Sequence, residues 1–220
     1  MAPRDFRTRL LRRAAKSGLF LPDELADRLI AYYELLSRWN RKINLTALDN
    51  PDEAIDRLLL EPVLAVRHFP ADVDGVRRVR IMDVGSGGGS PAIPMKLAGP
   101  TSTLTMVEVK ARKSAFLREA IRVLELENSD VETNRYEELL ARPELHEVFS
   151  VLSLRAVRVE VRTLLTLQAF LRPGGLLLMF RGPSGPETPP TPVPPLSWVG
   201  TFPLVEALQS RLTILKKNRF

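Results

Sequence analysis

Met82-Asp-Val-Gly-Ser-Gly-Gly-Gly-Ser-Pro91 decides how this chain is read. It follows Val79-Arg-Ile-Met82, an apolar run that reads as a buried strand. It leads into Pro91-Ala-Ile-Pro-Met-Lys-Leu97, which reads as a helix with proline in its first turn. A strand, a glycine turn and a helix start together make a nucleotide-type site. Gly85, Gly87 and Gly89 have no Cβ, so the backbone can turn sharply and a ligand can lie against it.

Outward from that turn the pattern alternates. Strand-like runs fall at 79–84, 102–109, 131–134, 148–152, 175–180 and 211–215, and residues 196–220 read as a closing strand pair. Helix-like runs fall between most of them, at 91–98, 111–126, 136–141 and 158–171. This order predicts an α/β domain over residues 76–220, doubly wound, with a mostly parallel sheet and helices on both faces. Residues 1–75 read as a helical cap. Leu25, Leu29, Tyr32, Leu36 and Trp39 line one helical face, and a second helix follows Asn50-Pro-Asp-Glu53, with Pro62 set to kink or end it. The proline-rich stretch 183–195 favours an extended surface connection, with a PxxP-type ligand as the alternative.

Composition narrows the chemistry. The 220 residues contain no cysteine and only two histidines, His68 and His146, so disulfides and thiol nucleophiles are excluded and no metal site is expected. No apolar run is long enough to span a bilayer, and a cytoplasmic protein without membrane contact is expected. The formal net charge is +6. Part of it sits in Arg4, Arg7, Arg9, Arg12, Arg13 and Lys16, balanced only by Asp5. This run fits a solvated helix face, a phosphate-binding basic arm, or a transit segment.

Two ligands suit the turn. Gly87-Gly-Gly89-Ser-Pro-Ala92 fits G-x-G-x-x-A, a dinucleotide fingerprint. Asp83-x-Gly85-x-Gly87-x-Gly89 fits the first motif of S-adenosylmethionine-dependent methyltransferases. Glu108, at the end of the second strand, would bind ribose hydroxyls in either case. Asp83 leans toward the methyl donor, because a carboxylate suits its cationic amino-acid end and sits poorly beside a pyrophosphate.

Trp39-Asn-Arg-Lys-Ile-Asn-Leu-Thr46, the turn with its Pro91-Ala-Ile-Pro94 tail, Lys113-Ser-Ala-Phe-Leu117, Arg135-Tyr-Glu137 and Arg155-Ala156 occur in that order. Together, over about residues 20–182, they resemble the bacterial 16S rRNA guanine-N7 methyltransferase family, RsmG, also called glucose-inhibited division protein B. The resemblance implies a seven-stranded class I methyltransferase (Rossmann-like) sheet with an N-terminal helical cap. It implies S-adenosyl-L-methionine as cofactor, held by Gly85 and Ser90 in the turn, Glu108, Tyr136, Glu137 and Arg155. Asp83 and Gly87 join them from the reading of the turn itself.

The implied reaction is methylation of a 530-loop guanine N7 in 16S rRNA or the small ribosomal subunit, by a monomer. Arg155 and Arg181 are the candidates for positioning the purine or a nearby phosphate. The basic arm with Arg38, Arg41 and Lys42 would engage the RNA backbone. Trp39 and Asn44 would brace the cap. The chain departs from the family at Arg57-Leu-Leu-Leu-Glu-Pro62, where R-H-x-L-D-S is usual. It departs again at Ser90 (usually bulky and apolar), Ala92 (usually glycine) and Arg181 (commonly lysine). The competing readings are an NAD-dependent oxidoreductase and a non-catalytic RNA-binding relative.

Overall fold

The computed structural model describes residues 3–47, 50–70, 79–99, 101–156, 159–183 and 193–219. Its centre is β1 (Arg80–Val84), which pairs in parallel with β2 (Thr103–Val107) on one side and β4 (Phe149–Arg155) on the other. β3 (Ser129–Glu132) extends the β2 side. β5 (Leu171–Arg181), β7 (Arg211–Lys217) and β6 (Leu196–Pro203) extend the β4 side. The order is β3-β2-β1-β4-β5-β7-β6, with β7 antiparallel to both of its neighbours. An all-parallel dinucleotide sheet runs 3-2-1-4-5-6. The antiparallel insertion of β7 separates this chain from that plan.

The central strands are almost wholly buried because both faces are covered. On one face Ile81, Val151, Leu178 and Leu212 pack under the N-terminal helices, α5 (Ala92–Ala98) and α6 (Ala111–Val123). On the other, Met82, Leu152, Leu177 and Leu215 pack under α7 (Val161–Leu167). The chain therefore leaves β1 toward one face and β4 toward the other. That opens a crevice at the carboxyl ends of these two strands, where open α/β sheets bind ligands.

The expected helix at 158–171 is shorter in the structure. Leu171 already pairs with Phe149, and Val151 next pairs with Leu176, so the Pro173-Gly174-Gly175 stretch is a bulge inside β5. Gly174 takes φ 82°, and a Cβ on Gly175 would lie 2.9 Å from the Arg172 carbonyl oxygen. The expected helix at 136–141 is a 3-10 turn, Glu138–Ala141. Residues 184–192 of the proline-rich segment lie outside the described residues.

In the N-terminal region α1 (Pro3–Lys16) packs on α2 (Asp23–Ile43), whose buried residues Ala26, Leu29, Tyr32, Leu35 and Leu36 join the sheet core. A second helical stretch begins at Asn50, whose side chain accepts the Asp52 and Glu53 N–H groups. It runs through α3 (Pro51–Ala54), a π turn (Ile55–Leu60) and α4 (Glu61–Ala65). Pro62 does not end it, since α4 continues to Ala65. The wider π turn lies just ahead of the proline, where an α-helix would clash with the ring.

Three of the six cations of the basic arm are spent within the molecule. Arg7 pairs with Asp23 at 3.0 Å and with Asp27 at 3.1 Å, and Arg9 with Asp52 at 3.3 Å. Arg13 bridges Asp52 and the fully buried Asp56. These arginines tie α1 to the cap. Among the described residues, no helix is long and apolar enough to cross a membrane.

Candidate active site

The glycine turn is set by backbone signs. Gly85, Gly87 and Gly89 take φ values of 76°, 51° and 85°, in the left-handed region that strains any side chain. Gly89 is also closed sterically, since a Cβ there would lie 2.5 Å from Ile93 Cδ1. Gly87 is open by contrast. A Cβ on it would find its nearest neighbours at 3.7 Å (the Gly85 carbonyl) and 3.9 Å (Lys113 Nζ).

The turn hangs from the end of β2. Gly85 and Ser86 donate to the Val107 carbonyl at 2.9 and 3.1 Å, and Gly87 donates to Glu108 Oε2 at 2.9 Å. Glu108 Oε1 accepts the Lys110 N–H at 2.8 Å. Each carboxylate oxygen keeps a further lone pair, so a ligand hydroxyl could still be accepted beside the turn.

Asp83 lies beneath. It is 1% exposed; the Ser153 hydroxyl donates to its Oδ1, and its Oδ2 has no hydrogen-bond partner among the described residues. Burial raises its pKa to about 6, against the Ser153 and Ser86 hydroxyls and Arg155, which favour the charged form. An orphaned buried carboxylate oxygen, an open glycine and a pre-set acceptor at Glu108 fit a ligand with a cationic end and vicinal hydroxyls. S-adenosylmethionine has both.

Arg155 and Ser90 turn toward the cap. Arg155 NH2 lies 2.9 Å from Glu61 Oε2, its NH1 donates to the Arg57 carbonyl, and its guanidinium covers the Phe180 ring at 4.7 Å. Its side chain is 17% exposed and that of Glu61 4%. Burial lowers the Arg155 pKa and raises that of Glu61, each against the pull of the other. The Ser90 hydroxyl donates to the Leu58 carbonyl at 2.9 Å.

Arg181, at the end of β5, stands opposite Arg211 of β7. Its Nε is buried without a hydrogen-bond partner among the described residues, and burial together with Arg211 lowers its pKa. Tyr136 and Glu137 follow β3, two strands away from β1. Tyr136 packs on the α7-side core and Glu137 is exposed. The structure thus gathers Asp83, Gly85, Gly87, Ser90 and Glu108 around one turn and links Arg155 to it through the π turn. Arg181, Tyr136 and Glu137 sit further along the same carboxyl edge.

Other contributors are not evident from sequence. The Tyr32 hydroxyl donates to the Gly88 carbonyl at 2.7 Å, yet Tyr32 reads only as one member of an apolar stripe. Asn40 Oδ1 accepts the Leu45 and Thr46 N–H groups at 2.6 and 2.8 Å. That folds the Trp39–Thr46 motif back so that Leu45 packs under Gly88. Trp39 meets Phe116 of α6 edge-on at 5.8 Å, so it does brace the cap. Neither histidine faces the turn. His146 precedes β4 at the opposite edge of the sheet, and His68 packs on Phe202 of β6, four strands from β1.

Known proteins share this fold. A solved structure of a SAM-dependent methyltransferase from Aquifex aeolicus matches with TM-score 0.55, over 78% of this chain and 95% of that one, at 14% identity. This is a likeness of fold. The Ribosomal RNA small subunit methyltransferase G of Cupriavidus pinatubonensis is 36% identical over 182 residues, 80% of this chain and 75% of that protein. Its namesake in Syntrophotalea carbinolica is 32% identical over 177 residues, 80% of this chain and 78% of that protein. The model of one family spans residues 25–187, from α2 to just beyond β5. The chain belongs to the rRNA small subunit methyltransferase G family.

Proposed function

We propose that this protein transfers the methyl group of S-adenosylmethionine to N7 of a guanine in 16S rRNA, at the 530-loop site. The observation that carries the reading is the open glycine turn at the β1/β4 crevice, joined to Glu108 and set over the buried Asp83 carboxylate. Family membership supplies the substrate class.

When bound, the donor supplies an electrophilic methyl on a sulfonium centre. The protein holds and aims it. The Asp83 charge sits below the turn and favours the donor's ammonium end, and Glu108 accepts the ribose hydroxyls. Guanine N7 carries a free lone pair and no proton, so transfer needs no general base, and the placement of both histidines away from the turn is consistent with that. The rate gain then rests on holding the methyl in line with N7. Arg181 positions the purine or an adjoining phosphate. Arg155 braces the site through Glu61 and the π turn.

Arg38, Arg41 and Lys42 are exposed at the end of α2 and engage the RNA backbone, which makes binding salt-sensitive. The protein acts as a monomer in the cytoplasm. Incubation with methyl-labelled donor and unmodified small ribosomal subunits tests the reading. Transfer of label to 16S rRNA supports it. Tight subunit binding without label favours a non-catalytic RNA-binding protein. Binding of NADH in place of S-adenosylhomocysteine would favour an oxidoreductase.

A further inference from the structure

β5 ends on Arg181 and β7 begins on Arg211, and the two stand directly opposite each other in the antiparallel register. Opposed residues of such a pair project to one face, and like charges placed there repel. Alternation from Leu177, Met179 and Leu215 puts both on the α7 side, and Arg181 NH2 lies 3.9 Å from the Met179 sulfur. Both arginines are half-buried, and Arg181 Nε is shut off from solvent without a hydrogen-bond partner among the described residues. Neither guanidinium has a carboxylate partner among the described residues. Arg7, Arg9, Arg13, Arg142 and Arg155 each meet an acid by contrast. Arg155 of β4 is level with Phe180, so Arg181 stands one residue past the end of β4 and Arg211 one strand further out, at about 5 Å per strand. The pair therefore borders the β1/β4 crevice on the side away from Glu108.

We infer that Arg211 is an RNA-binding residue, and that Arg181 and Arg211 form a two-armed receptor for one backbone phosphate beside the target guanine. The inference rests on the crevice being the donor site, and it narrows Arg181 to the phosphate rather than the purine. Two opposed like charges destabilise the free protein, and a phosphodiester between them removes the repulsion. Guanidinium groups suit this task, because their planar donors match phosphate oxygens two at a time. A base inside folded RNA leaves its stack to reach an enzyme-bound reagent, which draws its flanking phosphates to the rim of the crevice. The pair stands on that rim, across from the Glu108 side where the donor's ribose binds, so the two ligands do not compete for it.

Arg211→Gln in the full chain tests this. The readouts are filter binding of unmodified small ribosomal subunits across a salt series, calorimetry with S-adenosylhomocysteine, and melting of the ligand-free protein. Subunit affinity should fall roughly tenfold at low salt, and the slope of log affinity against log salt should lose about one counterion. S-adenosylhomocysteine affinity should stay within about twofold of wild type, since the donor site lies apart. Ligand-free melting should hold or rise, because one of two opposed like charges is gone. Arg211→Lys keeps the charge without the planar fork, so it should keep the salt slope and lose about threefold in affinity. Adding Arg181→Gln to Arg211→Gln should cost less than Arg181→Gln alone, because both arms hold one phosphate. Additive losses, or wild-type subunit affinity in Arg211→Gln, would overturn the inference. So would a fall in S-adenosylhomocysteine affinity, which would assign the pair to the donor's carboxylate, or a lower melting temperature with an unchanged salt slope, which would make Arg211 structural only. If the wild-type protein labels 16S rRNA while Arg211→Gln binds subunits normally, only the receptor fails. If the wild-type protein transfers no label, the methylation reading fails, while the salt series still judges the receptor.

Discussion

Replacing Asp83 by asparagine should make the protein more stable and worse at binding its donor, with a pH dependence that identifies the cause. The carboxylate is 1% exposed, and burial lifts its pKa from 3.8 to about 6. The charged form is therefore penalised by about two pKa units, or roughly 3 kcal/mol at about 1.4 kcal/mol per unit. Between pH 4 and 6 the folded protein binds a proton that the unfolded chain has already released. Wild-type stability should thus fall as pH rises through that window and level off above it. Asparagine never ionises and still offers an oxygen to the Ser153 hydroxyl. Part of the gain is offset because Asp83 also supports the Arg155 charge.

The variant should match wild type near pH 4 and exceed it by about 1–3 kcal/mol at pH 7. For a chain of this length that is a rise of roughly 2–10 °C in melting temperature. Calorimetric scans from pH 4 to 8 give the stability difference, and titration with S-adenosylhomocysteine at each pH gives the affinity. Wild-type affinity should rise through pH 6 as Asp83 ionises, and the variant should lose that dependence. A stability difference independent of pH, or a variant less stable at pH 7, would refute the burial argument.

The remaining predictions concern the cap and the turn. Arg13→Ala leaves Asp56 buried without its guanidinium partner and should cost about 3 kcal/mol in urea unfolding; a loss under about 1 kcal/mol would mean that α1 is only loosely tied. Gly89→Ala should lose about 2–3 kcal/mol from its left-handed backbone and the contact with Ile93, whereas Gly87→Ala should lose roughly 1 kcal/mol but most of its donor affinity, because its side is open. Equal stability loss at the two glycines would contradict the contrast between them. Reversing charge in Arg38→Glu with Arg41→Glu should weaken subunit binding and flatten its salt dependence by about two counterions, measured by filter binding across a salt series. An unchanged slope would place the RNA elsewhere.

The glycine turn was legible because its requirement is local: positive φ at three positions and a strand just before. The sheet's alternation was legible for the same reason, and helix α6 starts where its pattern starts. α7 was overestimated because Leu171 carries no mark of having joined β5; only its pairing with Phe149 shows it. The fates of Arg7, Arg9 and Arg13 depend on acids far along the chain, which periodicity does not report. Ser90 and Arg155 were legible as residues of the site but not in their direction. That direction is set by two carbonyls in a π turn that no local pattern announces. Tyr32 and Glu61 were hidden because a buried polar tip on an apolar face looks like core until its partner is seen.

The central claim is that the turn over Asp83 serves methyl transfer to one guanine of the small subunit. Its most direct test maps the product. Subunits lacking the modification are incubated with the protein and methyl-labelled S-adenosylmethionine, and the 16S rRNA is cleaved and analysed for methylated nucleosides. The account predicts 7-methylguanosine at a single 530-loop position, abolished by Gly85→Asp. Label at another atom or another base, or transfer that persists in Gly85→Asp, would contradict it.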